Sequence, residues 1–521
     1  MGEVTASLPP DLHPHTYPWF VASKYNLPPV FYLDLWPAGQ SMVVIADVGV
    51  AESVAVRPSF PKSRSVREVM AKMLGDDNIV IAEGDTWKRL RAMFNPGFSS
   101  KHIMSFLPSI VDEVEVFRAK LKEWASQDNK VVRLEDQITY LTVDIISKVV
   151  LNHPLNSQKN SKNDLVDGIR IMGNWVGTRS SSNLLKRFSP RVFLNGPWYF
   201  RPKIDNYINN VLDQRLKNPS PSDFDSISSS GRKGRKRNLI DLALDVFISE
   251  ADPVFRERLL PQVATFVFAG HDTTSSTLCW AYHLLARNPH ALAALRAEHS
   301  AVLGPDPAAA PALLRTSPHL LNELPYTLAA IRETLRLFPP ASTIREAPSL
   351  SATIRDPASG APLPAAPTED TMVWVLHSCI HRSEALWGPT VHDFLPERFL
   401  PAPRNVDPRP GKGGGGGGGD ELPWPENAWR PFERGPRNCI GQELALVEAR
   451  AVLALTAREF DVRAAYDRVG ALAGDGSTWE ARATSADALQ EVWGDPAYQI
   501  LQATAKPRDG MPAVVSFAKE V

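Results

Sequence analysis

Cysteine is scarce: three in 521 residues, Cys279, Cys379 and Cys439. They are too few and too scattered for a disulfide framework, and no Cys-x-x-Cys or Cys/His cluster offers zinc spacing, so a reducing compartment is the default. A charge excess is also missing. The 57 Lys and Arg against 58 Asp and Glu leave a formal net charge of −1, which gives no footprint for nucleic acid or an acidic membrane surface. No run of about 18 apolar residues occurs; the stretches near Met42–Ile45 and Val263–Ala269 are too short to span. A basic start followed by an apolar core is absent, which argues against a secretory signal. Ala6 stands where a myristoylation pattern has Ser or Thr. No internal repeat and no flavin or nicotinamide fingerprint is evident. What is present is ordinary globular material, 43% hydrophobic and 22% charged, long enough to bury a large core. Its 45 prolines imply short or sharply punctuated elements.

The first sixty residues carry short apolar runs, such as Val43–Ala46 and Val54–Val56, and read as strands and turns. From about 64 to 217 the apolar spacing is helical. Residues 218–238 break it with Pro219, Pro221, a serine-rich stretch and a basic run, and read as a flexible connection. A long helix is predicted from about Pro253 to Arg287, stopped by Asn288-Pro289. At ~1.5 Å per residue it runs roughly 50 Å, enough to cross a domain. Residues 341–380 look strand-rich. The tract 401–425, with consecutive glycines Gly413–Gly419, reads as a second flexible loop. A final helix is expected over roughly Gln442–Phe460.

The most informative segment is Phe432-Glu433-Arg434-Gly435-Pro436-Arg437-Asn438-Cys439-Ile440-Gly441. One cysteine lies in a glycine-flanked turn just before a helix. Glycines permit close backbone approach and positive φ. The helix start offers free N–H groups and partial positive charge, which favour a thiolate. Arg437 adds a cation suited to a carboxylate. A thiolate in a tight glycine loop is what an axial iron ligand needs. The segment resembles the haem-binding signature of the cytochrome P450 family, F-x-x-G-x-R-x-C-x-G, at every specified position. Cys279 and Cys379 read as packing residues.

Further segments match that family in order. Glu333 and Arg336 share a helical face and on their own would be a common surface pair; they resemble the family's E-x-x-R, with Arg398 in Pro396-Glu397-Arg398-Phe399 as the third member of a buried structural network. Ala269-Gly270-His271-Asp272-Thr273-Thr274 resembles the family's A-G-x-[DE]-T-[TS]. The resemblance implies a groove for dioxygen, with Thr273 hydrogen-bonding the oxygen and Asp272 relaying protons. Trp87 and Arg91 resemble W-x-x-x-R, and Arg345 follows Pro339-Pro340; with Arg437 they are implied to meet the haem propionates. Lys88 and Arg89 read as solvated or as part of a face for a redox partner. The expected pocket wall includes Phe266, Phe268 and Ala269 on the central helix, Ala341, Ser342 and Thr343 after the proline pair, and the loop around Ile79–Ile81.

The resemblance implies a mainly α cytochrome P450 fold with a long central helix and a small β-rich subdomain, one domain over 1–521. It implies haem b held by Cys439, Arg437, Arg345, Trp87, Arg91, Phe432 and Gly441, with Asp272 and Thr273 catalytic. Electrons would come from an NADPH-cytochrome P450 reductase, with cytochrome b5 as a further candidate partner. The expected reaction is monooxygenation of a lipophilic small molecule. The wording of Trp429-Arg430-Pro431-Phe432-Glu433 and Ala503-Thr504-Ala505-Lys506-Pro507 is similar to fungal P450s of secondary metabolism, among them those acting on polyketide mycotoxin precursors. A fatty-acid or xenobiotic hydroxylase and a shortened, non-catalytic haem-binding chain are the alternatives. The family implies the cytosolic face of the endoplasmic reticulum. The sequence begins without the usual anchor helix, so a soluble or peripheral enzyme, or a shortened N-terminus, is expected.

Overall fold

In a computed structural model the chain is described over residues 2–34, 40–56, 59–160, 163–179, 194, 196–217, 238–249, 254–347, 371–401, 424–473, 475 and 490–519. The two segments read as flexible loops, 218–238 and 401–425, lie almost wholly outside these residues, as do the polyglycine tract and the basic run. The long helix forms over Phe255–Arg287. Asn288 ends it, because Pro289 cannot continue the hydrogen-bond ladder and restricts the residue before it. This central helix packs along the helix Leu134–Leu151, whose side chains Ile138, Leu141, Ile145 and Ile146 are buried. A Cβ on Gly270 would lie 2.6 Å from Ile146 Cδ1. On its Cβ side this glycine lets the two helices pack closely.

Among the described residues three small sheets flank the helices. The first has the order β1-β2-β5-β4, from Val30–Leu33, Met42–Ile45, Thr371–Val375 and Thr343–Ala347. β2 and β5 are parallel, with Met42 opposite Met372; β4 and β5 are antiparallel, with Arg345 opposite Val373. The second, β3-β9-β6, joins Val131–Arg133, Pro512–Phe517 and Phe460–Ala464. The third is a hairpin of β7 (Gln499–Gln502) and β8 (Thr504–Pro507), turned at Ala503 with φ +67°.

Two expectations are corrected. Val54–Val56 is not a strand; the helix Val48–Ala55 runs into it. The Asp47 carboxylate caps that helix by accepting from Val50 N–H at 2.8 Å, and its buried positions Val50, Ala51 and Val54 recur at helical spacing. Cys379 lies in the short helix His377–His381, not in a strand. It is buried, as is Cys279 on the central helix, and burial raises both thiols. Among the described residues no helix is long and apolar enough to cross a membrane.

Candidate active site

The cysteine segment folds back on itself before the helix Gln442–Thr456. Cys439 N–H donates to the Phe432 carbonyl at 2.8 Å, and Asn438 N–H to the Gly435 carbonyl at 3.1 Å. Gly435 takes φ +75°, and Glu433 is also left-handed at +57°. Gly441 is different from the expectation: its φ is −86°, and it caps the helix with its N–H turned to the sulfur. A Cβ on Gly435 would stand 2.6 Å from Val56 Cγ1. Gly435→Ala is therefore expected to destabilise the protein by about 1–3 kcal/mol, from a strained φ and an overpacked contact. A drop in the urea midpoint at unchanged slope measures it.

Cys439 keeps free surface although protein surrounds it on enough sides for burial to push its thiol up. Burial outweighs the Gly441 N–H, the Arg91 charge and the Gln442 N–H, all of which pull the other way. The helix-start N–H groups are legible in the sequence; the burial that opposes them is not.

The predicted cations converge around this loop. Arg91 forks onto Asn438, donating to its carbonyl and to its side-chain oxygen, each at 2.7 Å. Arg437 donates to the Ala82 carbonyl from both terminal nitrogens at 2.9 Å and stacks 4.5 Å from the Trp87 ring centre. Its guanidinium is lowered to about 10 by burial. Arg345 is 1% exposed; one terminal nitrogen reaches the Phe60 carbonyl at 3.2 Å, while Nε and Nη2 have no hydrogen-bond partner. Sequence reasoning missed Lys62, which bridges to Arg345 across a short antiparallel contact. Burial, with Arg345 and Arg437 nearby, pushes its ammonium down to about 7. Arg91, Arg345, Arg437 and Lys62 thus share this neighbourhood with two carboxylates, Glu83, 3.5 Å from Arg437, and Glu433.

Glu333, Arg336 and Arg398 are brought together. Arg336 grips Glu333 in a bidentate pair at 2.7 and 2.8 Å, and both are 0% exposed. Arg398 Nε approaches the same carboxylate at 3.3 Å. Arg336 also donates to the carbonyls of His381 (2.8 Å), Val391 (2.7 Å) and Asp393 (3.1 Å). The link to the cysteine loop runs through His381, whose Nε2 accepts from Arg430 N–H at 3.0 Å, and through Trp429, which donates to the Arg332 carbonyl at 3.0 Å. Arg430 then bonds Glu433 at 2.8 Å. Burial alone would raise the Glu433 carboxyl, but His377 and Arg430 hold it well below the usual carboxylate range.

From Pro261 to Leu285 every residue of the central helix is buried except Ala269, Gly270 and Thr273, which keep partial exposure. Two of these, Ala269 and Thr273, are one turn apart, so one face of a buried helix borders open space. The Thr273 hydroxyl donates to the Ala269 carbonyl at 3.0 Å. Asp272 faces elsewhere: its carboxylate pairs with Lys506 at 3.0 Å and accepts from the Thr504 hydroxyl at 2.5 Å. Sequence reasoning noted Thr504 and Lys506 only as part of a familiar phrase. No local pattern could have paired them with Asp272, more than two hundred residues away.

The expected pocket wall divides. Phe266 is buried in an aromatic cluster, with ring centres 4.7 Å from Phe94 and 5.3 Å from Phe98, so its ring serves the core. Phe268 is 7% exposed, beside His271. Ser342 accepts from the Trp374 indole at 2.5 Å, and Thr343 is buried and bonded to Glu433. Ala269, Ala341, Val80 and Ile81 retain surface. The loop before Trp87 is tied to the central helix by Gln262, which accepts from Ile79 N–H at 2.8 Å.

Comparison with known proteins identifies the family. Residues 11–469 match the family model for cytochrome P450. The chain is 34% identical to the cytochrome P450 monooxygenase acrF of Aspergillus aculeatus, over 99% of this chain and 100% of that protein. It is 32% identical to the cytochrome P450 monooxygenase polC of Polytolypa hystricis, over 99% of this chain and 87% of that one. Among solved structures, a crystal structure of a cytochrome P450, CYP102L1, superposes with a TM-score of 0.70 at 19% identity, over 99% of this chain and 96% of the other.

Proposed function

The chain belongs to the cytochrome P450 family and is a monooxygenase by that membership; from this we propose that its substrate is a lipophilic small molecule of fungal secondary metabolism. Two fungal monooxygenases align with it almost end to end, and the surface left open around Ala269, Ala341, Val80 and Ile81 is apolar. The family implies haem iron. The observation that carries the site assignment is the pair Nε and Nη2 of buried Arg345, without a hydrogen-bond partner among the described residues, in a cation cluster that reaches the exposed Cys439 through Arg437 and Arg91. The two carboxylates of a haem would supply acceptors for those Arg345 nitrogens.

In this reading Cys439 Sγ would hold the haem iron, and the Gly441 and Gln442 N–H groups would stabilise charge on the sulfur. Arg91 fixes the ligand's position by holding Asn438. Arg345, Arg437 and Trp87 would hold the haem carboxylates, with Lys62 beside them. Phe432 anchors the loop through its carbonyl. Haem, when bound, supplies the chemistry that activates dioxygen and transfers one oxygen atom. Thr273 Oγ1 offers a hydrogen bond on the open face, and Asp272 is the acid behind it that moves protons. Glu333, Arg336 and Arg398 hold the frame. A separate NADPH-dependent reductase delivers the electrons; Lys88 and Arg89, exposed on the helix that carries Arg91, belong to the face where it docks.

The absorption spectrum of the purified, reduced protein under carbon monoxide tests the site. A strongly red-shifted Soret band is the expected result. A band typical of histidine or neutral-thiol ligation, or no haem at all, overturns the assignment. Deleting the gene and profiling metabolites tests the substrate class: a lipophilic precursor accumulates if the proposal holds.

A further inference from the structure

The buried charges near the central helix have one focus. Lys506, on β8, has a side chain 4% exposed. Its ammonium pairs with Asp272 Oδ1 at 3.0 Å, donates to Ser275 Oγ at 2.7 Å and to the Asp272 carbonyl at 2.9 Å, and also bonds Glu135. Thr504, two residues earlier on the same strand, donates to Asp272 Oδ2 at 2.5 Å. Both oxygens of Asp272 are therefore held by a single two-stranded hairpin. Behind Lys506, Glu135 accepts from the hydroxyls of Thr139 (2.9 Å) and Ser275 (3.2 Å). Beyond it Arg170 pairs with Asp136 at 3.0 Å, where side-chain exposure rises to 19% and 14%. The signs alternate along Asp272, Lys506, Glu135, Arg170 and Asp136, which is how a row of buried charges is tolerated.

We propose that Lys506 is a positioning residue for proton delivery: with Thr504 it fixes where the Asp272 carboxylate stands relative to the Thr273 hydroxyl. This rests on the roles proposed above for Asp272 and Thr273. The hairpin that carries Lys506 has other anchors. Ala505 N–H donates to the Pro340 carbonyl at 3.0 Å, just before Ala341, and Ser276 donates to the Ala505 carbonyl at 2.7 Å. Gln502 bonds Asn174 at 2.5 Å. A displacement of the hairpin thus moves Thr504 and Lys506 together, and Asp272 with them. A merely packed strand would need one contact to the central helix; this one engages both acid oxygens and compensates its own charge with a second buried carboxylate.

The test compares the haem-loaded full chain with Lys506→Met, Thr504→Val and Lys506→Arg, each supplied with NADPH and a P450 reductase and no added substrate. Two reactions compete: NADPH, O2 and one proton give NADP+ and H2O2, or two NADPH, O2 and two protons give two NADP+ and two H2O. The second depends on delivered protons. Lys506→Met is expected to lower water formation about tenfold relative to peroxide and to raise the solvent isotope effect, because a misplaced acid loses part of its catalytic factor. Thr504→Val gives a smaller change in the same direction, and Lys506→Arg, which keeps charge and donors, restores most of the native ratio. A second readout needs no turnover: the infrared CO stretch of the reduced CO complex shifts or splits in Lys506→Met, since the field at Thr273 changes. Native ratio, isotope effect and CO stretch in Lys506→Met with an intact red-shifted Soret band overturn the proposal. If Lys506→Met does not fold, Thr504→Val decides on the same readouts. Asp272→Asn separates the two levels. If it changes the ratio and the Lys506 and Thr504 variants do not, only this inference falls; if none changes it, the Asp272–Thr273 reading falls as well.

Discussion

Arg336→Ala is expected to yield no soluble, haem-loaded protein. The side chain is fully buried and saturates its donors: two on Glu333 and the rest on the carbonyls of His381, Val391 and Asp393. Its removal leaves the Glu333 charge with Arg398 at 3.3 Å as its only remaining ion-pair partner among the described residues, and breaking a buried pair from one side costs about 3–5 kcal/mol. Each orphaned carbonyl adds about 1–3 kcal/mol. The sum rivals the roughly 5–15 kcal/mol that holds a typical domain together. Arg336→Lys is expected to fare little better, since a single ammonium cannot reproduce the fork. Soluble yield, the urea midpoint and the red-shifted CO band measure the effect. A variant within about 1 kcal/mol of native would refute a structural role for this network.

Cys439→Ser is the second large effect. The loop's main-chain closure uses the Cys439 N–H, not its sulfur, so the variant is expected to fold. A hydroxyl in place of the thiol keeps the N–H donors of Gly441 and Gln442 but gives no soft anionic ligand. The red-shifted CO band is expected to vanish, and reductase-driven product formation to fall to background. Haem content may be read separately by pyridine extraction. Retention of the red-shifted band in Cys439→Ser would mean that another residue ligates the iron.

The features readable from sequence were those whose partners are close along the chain. The cysteine loop is closed by bonds within a few residues, Glu333 and Arg336 stand on one turn, and the central helix announces its own end at Asn288-Pro289. Misreadings arose where the deciding neighbour was distant or the window short. Val54–Val56 looks extended in isolation, yet the Asp47 cap and the buried spacing before it make a helix. Phe266 looks like a pocket residue by position, but Phe94 and Phe98 claim its ring. The contact of Gly270 with Ile146 likewise has no signal in the local sequence. Lys506 carries no signal of its own; only the fold places its ammonium between Asp272 and Glu135. Burial at Cys439 is likewise a tertiary quantity, which is why favourable N–H groups alone did not settle the thiol's state.

The parallel pairing of β2 with β5 has a consequence for biosynthesis. Met42 meets Met372, and Arg345 is presented on the strand that leans on that same β5. The N-terminal strands must therefore wait for most of the chain to leave the ribosome before their sheet can close. At about 5–20 residues per second that wait is tens of seconds, and long-range pairing of this kind is slow to nucleate. Arg345 is thus put in place only after β5 has emerged, and Cys439 emerges later still. Until then the early strands present unpaired edges, which are prone to wrong pairing.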